Sequence, residues 1–208
     1  ASVLRGHARP ELLDSYDSER RPIGVRNTGY ARGFADSIGG FHTTPALEAE
    51  GPAGDALRAH ASTVLDDHVR REFNIPGVTF GERYDGSPVI AGDGGTPPPD
   101  SANDYQPSTC PGGRLPHVWL GGERSLYDEL GFEWTVLAPG ARRAAAQALV
   151  GAGTQAGIDV RLRLCDEPEA REVLGDALLL VRPDQVVAWR GGAVEAPQAV
   201  WRRVTCTP

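Results

Sequence analysis

Between Ala91 and Gly113 the sequence carries Gly92, Gly94, Gly95, Pro97, Pro98, Pro99, Pro107, Pro111, Gly112 and Gly113, with few large apolar residues among them. Such a stretch cannot form a core of its own, so it divides the chain and is expected to lie along a surface as an inter-domain connection. A phosphate-cradling turn is the other reading of these glycines. That device needs a strand before it and a helix start behind it, whereas Gly92-Asp93-Gly94-Gly95 runs into prolines. The flanks on either side have different apolar rhythms and are read separately.

The amino-terminal flank reads as helices. Pro10 suits a first helical position, Glu11 favours the positive helix start, and Leu12, Leu13 and Tyr16 fall on one face before Pro22 interrupts or kinks the run. A second run from about Ile23 stops at Gly39-Gly40. A third places Leu57, Ala61, Val64, Leu65 and Val69 at helical spacing, with Arg58, Asp66, Asp67 and Arg70 turned outward, so its apolar stripe calls for a partner. Val78 to Tyr84 has strand composition, and Val89-Ile90 closes a second short apolar piece.

The last hundred residues change period. Phe132, Trp134 and Val136 alternate as a strand, Arg142 to Ala156 reads as an Ala-rich helix, and Val160, Leu162 and Leu164 alternate again, which makes a β-α-β unit with parallel strands. Leu178–Val181 and Val186–Trp189 flank Arg182-Pro183-Asp184-Gln185, a turn sequence, and read as a hairpin. A closing helix carries Val200, Trp201 and Val204. A short strand at Pro116–Leu120 and a short helix at Ser125–Leu130 precede this set. A β-α-β unit followed by β-β-α is the order of a thioredoxin-like domain.

Several kinds of chemistry are set aside at this level. The longest apolar runs, such as Ala177–Val181, fall far short of the roughly 20 residues that span a bilayer. The start, Ala1-Ser2-Val3-Leu4-Arg5-Gly6, has neither the basic nor the apolar part of a secretory signal, so a cytoplasmic location is expected. A net charge of -7 without a basic stripe argues against nucleic acid. Every basic side chain other than histidine is arginine, a compositional habit rather than a mechanism. Cys110, Cys165 and Cys206 are odd in number and widely spaced, so they form neither a disulfide framework nor a Cys-x-x-Cys pair, and are expected to be a loop thiol and two small buried hydrophobes. The turn after Val136 holds Ala138-Pro139-Gly140 and no cysteine, leaving no thiolate for disulfide exchange. His60 and His68, beside Asp66 and Asp67, stand about 12 Å apart along a helix, too far for one zinc ion, and are expected on a solvated face. No Gly-x-Ser-x-Gly is present, and Ser125 has no base beside it in sequence.

Five phrases resemble one family. Leu12-Leu13-Asp14-Ser15-Tyr16-Asp17-Ser18-Glu19-Arg20-Arg21-Pro22 resembles the signature that follows the flavin-contacting segment of class A aromatic-ring hydroxylases. Gly81 to Pro88, Tyr105 to Leu120, Arg124 to Asp128, and Val181 to Arg190 resemble four further stretches of that family in the same order, with phenol, chlorophenol and polyketide hydroxylases nearest. The resemblance implies an α/β fold: the helical end of a FAD-binding monooxygenase domain (1–90), the Pro/Gly-rich linker (91–113), and a thioredoxin-like β-α-β-β-β-α domain (114–208) without a redox cysteine pair. It implies an enzyme in which NADH or NADPH reduces FAD and oxygen enters a phenolic or polyketide ring. The family's Gly-x-Gly-x-x-Gly turn and its later Gly-Asp segment, which hold FAD, are absent from this sequence, so a long amino-terminal portion is expected outside it. No residue here is therefore assigned to catalysis, cofactor or metal, and the segment alone is expected to be inactive. Arg20 and Arg21 are expected to anchor their helix; the loop Gly39-Gly40-Phe41-His42-Thr43-Thr44, where an aromatic and a titratable group sit beside flexible glycines, is the place to look for substrate contact, with a plain surface loop the favoured reading. The expected partners are an aromatic small molecule, the missing FAD-domain portion and further copies of the chain, without nucleic acid or membrane. A redox-inactive dimerisation or binding module is the alternative function.

Overall fold

The computed structural model describes residues 1–207. The chain folds as two compact units: Ala1–Pro22, Glu82–Pro99 and Gln106 onward form one, and Ile23–Gly81 with Asp100–Tyr105 form the other. This division by compactness interleaves the sequence rather than following the expected succession 1–90, 91–113 and 114–208.

The larger unit is built on a four-stranded sheet of β3 (Trp134–Ala138), β4 (Val160–Leu164), β5 (Leu178–Val181) and β6 (Val187–Gly191), in the order β4-β3-β5-β6. A two-residue ribbon of β1 (Trp119–Leu120) and β2 (Arg124–Ser125) precedes it. β3 and β4 are parallel with Val136 opposite Leu162, whereas β3–β5 and β5–β6 are antiparallel. β3 and β5 are buried along their whole lengths because both faces of the sheet are covered. On one face, Leu137, Leu179, Val181 and Val187 join Leu115, Val118, Leu120, Leu126, Ala170 and Leu174 in a single apolar cluster. On the other, α4 (Arg143–Gln155) and α6 (Pro197–Thr205) pack together, with the Trp201 indole N–H donating to Leu149 O at 2.8 Å and its ring standing edge-on to Trp134 at 5.2 Å.

The β-α-β unit, the hairpin and the closing helix lie where their periodicity put them. Phe132 does not belong to the strand: it is 88% exposed and precedes β3. A helix absent from the expected order, α5 (Pro168–Leu174), lies between β4 and β5, opened by Pro168 at its first position and burying Ala170 and Leu174. Only two of its seven residues are buried, too short a pattern to show a period.

The stretch 91–113 is anchored at both ends. Ala91 N–H donates to Ala188 O, Gly112 N–H to Val187 O, and Val187 N–H to Gly113 O, so residues 91 and 112–114 cover the free edge of β6. Arg190 holds the glycine turn through Asp93 and also donates to Thr109.

Three helical expectations change in the structure. Pro10 opens a 3-10 turn, Pro10–Asp14, and one helix, α1 (Ser15–Gly39), then runs through Pro22 without a break. Its first buried residues are Ser15, Glu19 and Ile23, spaced four apart on one face, while Leu13 and Tyr16 are 66% and 73% exposed, so the expected apolar face is not the inward one. α2 (Pro52–Phe73) forms as expected but buries only Gly54 and His68, leaving Leu57, Val64 and Val69 exposed among the described residues. The segment expected as a strand begins instead as α3 (Pro76–Phe80), because Pro76 starts a helical turn and the Gly77 and Val78 amides are taken by Ala102 O. No helix among the described residues is long and apolar enough to cross a membrane.

Candidate functional site: convergence of the motifs

The five phrases singled out in the sequence meet within the larger unit. Glu19 lies one turn into α1, where Ser15 and Glu19 share the inward face at i and i+4. Its side chain is only 5% exposed. A buried carboxylate is unstable without a cation and further donors. Arg182 supplies the cation as a two-pronged fork, with one Nη donating to Oε1 at 2.6 Å and the other to Oε2 at 3.0 Å. Ser87 Oγ donates to Oε1 at 2.7 Å.

Each partner is set by local chain geometry. Arg182 opens the β5–β6 turn, which closes by Arg182 N–H to Val186 O and Gln185 N–H to Arg182 O, with Gln185 at φ 68°. Asp184 in the same turn takes the Nε and one Nη of Arg182 at 3.1 and 2.7 Å. Ser87 follows Gly86 at φ 75° in a turn closed by Ser87 N–H to Tyr84 O. Tyr84 is buried, its N–H donates to Gly112 O, and its ring lies 5.5 Å from the Arg182 guanidinium and 5.9 Å from that of Arg20. Arg20 donates to the Tyr84 hydroxyl at 2.7 Å.

The electrostatics follow from burial and pairing. Burial alone would lower the Arg182 pKa, but the bonds to Glu19 and the Asp184 charge outweigh it and raise it well above the ordinary value. Burial raises the Tyr84 phenol, which therefore stays protonated. Removing one member of a buried ion pair costs about 3–5 kcal/mol, because the other charge is left stranded.

The remaining phrases surround this centre. Arg114 donates to the Tyr127 hydroxyl, which itself donates to Leu115 O, and Leu115 N–H reaches Gln185 O. Ser125 caps the 3-10 turn Leu126–Glu129 by accepting from Tyr127 N–H, and its hydroxyl lies 2.9 Å from His117 Nε2. A histidine thus stands beside Ser125 in space although none does in sequence. His117 packs edge-on against Trp119 and Tyr127, and no carboxylate orients it among the described residues.

The other sequence candidates fall elsewhere. Arg21 is exposed, and the 39–44 loop belongs to the smaller unit with His42 exposed. His60 is exposed, but His68, expected on a solvated face, is buried: Nε2 pairs with Glu72 at 2.7 Å and Nδ1 has no partner among the described residues. No group of three or more metal-ligating side chains occurs among the described residues. All three cysteines are free: Cys110 and Cys165 are buried, while Cys206 is partly exposed rather than buried. Burial pushes the Cys165 thiol up to about 11.

A cavity of about 300 Å³ is lined by Gly92, Asp93, Gly94 and Gly95 with Tyr84, Cys110 and Arg203. It does not suit a pyrophosphate. The Asp93 carboxylate occupies the turn, accepting from Gly95 N–H at 2.9 Å and from Arg190 at 2.7 Å. Although burial opposes it, those donors hold Asp93 below the usual carboxylate range, so an anion would meet a fixed negative charge.

Comparison with known proteins agrees with this convergence. Residues 108–208 match the family described as aromatic-ring hydroxylase, C-terminal. The chain is 33% identical to a phenol 2-monooxygenase of Pseudomonas sp. (strain EST1001), over 94% of this chain and 38% of that protein. The solved structure of the rebeccamycin biosynthetic enzyme RebC with reduced flavin superimposes with a TM-score of 0.86 at 32% identity, over 100% of this chain and 38% of that one. The flavin-dependent monooxygenase PieE, solved with FAD and substrate, gives a TM-score of 0.78 at 25% identity, over 100% of this chain and 42% of that one. Residues 108–208 belong to the aromatic-ring hydroxylase family's carboxy-terminal domain, and the chain as a whole is similar to the carboxy-terminal part of these monooxygenases. It spans about two fifths of the length of these relatives.

Proposed function

We propose that this chain is the carboxy-terminal part of a FAD-dependent monooxygenase that hydroxylates a phenolic or polyketide aromatic ring with NADH or NADPH and oxygen. The observation that carries this reading is the similarity to flavin enzymes along nearly the whole chain, together with the meeting of the family-like phrases at Glu19, Tyr84, Ser87 and Arg182. FAD would supply the oxygen-activating chemistry. The described residues do not fit it: the one glycine-rich turn is closed on its own aspartate, so FAD would be held by polypeptide these residues do not include, and no step is assigned to this chain's side chains. Their task is to orient and brace.

Within that reading residues 1–90 serve the flavin domain, and residues 114–208 form a thioredoxin-like brace that carries no redox chemistry. The order β-α-β-α-β-β-α and the β4-β3-β5-β6 sheet support this placement. Pro139 and Gly140 stand at the turn before α4, and the Cys165 thiol, at about 11, stays protonated. The test is to purify the full-length polypeptide carrying this sequence. It is expected to be yellow and to consume NADH or NADPH with a phenol while forming a hydroxylated product. A colourless protein that neither binds added FAD nor oxidises the nicotinamide would overturn the proposal.

A further inference from the structure

The rotation of a helix about its axis is ordinarily set by an apolar stripe seated on a core. Over Ser15–Pro22, α1 has none, and its first buried apolar side chain, Ile23, comes one turn later. Leu13 and Tyr16 face outward, and the inward positions are Ser15, whose hydroxyl donates to Leu12 O at 2.7 Å, and Glu19. Over those first two turns the inward groups with directional contacts are the buried carboxylate and its donors. Apolar contacts tolerate sliding, but a two-pronged guanidinium–carboxylate pair is directional, and here both prongs are made, with a third donor from Ser87. The guanidinium is itself held: Asp184 takes its Nε and one Nη, and the Tyr84 ring lies against it. Arg182 stands 163 residues from Glu19 in sequence, on a turn bounded by two strands of the sheet.

We propose that Arg182 is a positioning residue: acting through Glu19, it sets the rotation and axial position of Ser15–Pro22, the first two turns of α1, and so of the chain that leads into them. The inference rests on the reading proposed above in one respect only. If the complete protein is a monooxygenase, this setting governs how tightly reductant consumption is coupled to ring hydroxylation.

The experiment uses the full-length polypeptide with Arg182→Met, Glu19→Gln and the double variant. Amide hydrogen exchange is followed at Ser15–Arg21 and, for reference, at Thr135–Leu137 and Leu179–Val181. Hydroxylated product per nicotinamide oxidised is measured alongside. Arg182→Met is expected to speed exchange at Ser15–Arg21 on the order of a hundredfold with the sheet unchanged, and to lower product per nicotinamide oxidised. The double variant is expected to be no worse than either single one, because each residue acts through the other. Should Arg182→Met fail to fold, the near-isosteric Glu19→Gln gives the same two readings. Unchanged exchange at α1, an equal rise throughout the sheet, additive losses in the double variant, or an unchanged product ratio in an active enzyme would each overturn the proposal. A wild-type protein without flavin or monooxygenase activity would instead sink the functional reading, while the exchange result still decides the role of Arg182.

Discussion

Gly151 and Gly153 lie two residues apart on α4 and are expected to respond in opposite directions to the same substitution. Both are interior to the helix, so replacing either with alanine gains about 0.8–1 kcal/mol of helix propensity. A Cβ at Gly151 meets nothing within 4 Å. A Cβ at Gly153 stands 2.6 and 2.7 Å from two ring carbons of Trp201 and 2.7 Å from Val160 Cγ2. Neither neighbour can give way cheaply. Trp201 is 2% exposed, bonded through its indole N–H to Leu149 O and packed against Trp134, and Val160 is paired within β4. Overpacking of this kind costs about 1–3 kcal/mol. The propensity gain is common to both variants, so the difference between them isolates that packing cost. For a chain of this size each kcal/mol moves the melting temperature by about 2–4 °C, so Gly153→Ala is expected to melt about 2–12 °C below Gly151→Ala. Differential scanning calorimetry on the two variants and the wild type measures this directly. A Gly153→Ala protein that melts at or above Gly151→Ala would show that α4 and α6 are not as closely apposed as the contacts at Gly153 require.

The ionisable groups offer further checks. Asp100 accepts from Arg26 and from the Tyr30 hydroxyl, and chiefly through the Arg26 bond its carboxyl lies below the ordinary value. A lowered folded pKa means that this tie is present above about pH 4, the unfolded carboxylate value, and is lost as pH falls through the folded one. Carboxyl NMR should therefore place the Asp100 midpoint below that of an exposed aspartate, with exchange at residues 23–30 rising only under more acid conditions; an ordinary midpoint would refute it. Cys165, at about 11, is almost wholly protonated at pH 8 and buried, so iodoacetamide should label the partly exposed Cys206 first, and peptide mass spectrometry showing early labelling of Cys165 would contradict the packing. Asn103 donates its side-chain amide to Arg71 O and Asn74 O, both at 2.7 Å, at the end of α2. Asn103→Ala should cost about 1–2 kcal/mol of local stability, read as faster exchange in the last turn of α2.

Elements whose partners are near in sequence were legible, and those fixed by distant ones were not. β3, α4 and β4 announce themselves because the strand period gives way to the helix period and returns within some thirty residues. The β5–β6 hairpin is written in Arg182-Pro183-Asp184-Gln185. The residues 78–80 carry strand-forming side chains, but the Gly77 and Val78 amides are claimed by Ala102 O, the Thr79 amide by Ile75 O, and Pro76 begins a turn, none of which appears in side-chain preference. Pro22 suggests a break that the helix does not make, since it removes a single backbone hydrogen bond while both flanking segments stay helical. The cluster at Glu19 was visible only as separate strings. A glutamate in a charged run reads as solvated until the arginine that buries it is known, and that arginine lies 163 residues away. His117 escaped as a neighbour of Ser125 for the same reason at shorter range.

α2 shows where such reading stops altogether. Leu57, Val64 and Val69 form the stripe that periodicity picks out, yet they are 40%, 36% and 49% exposed, while the buried side chain with polar atoms is His68. An amphipathic pattern says that a helix has a partner; it does not say which polypeptide segment supplies it. The same reasoning separates residues along α1: Glu19 finds its counter-charge within the described residues, whereas Val25 is 69% exposed there. A residue whose partner is present can be assigned a role from geometry, as Arg182 is here, and one whose partner is absent shows only the kind of contact it awaits.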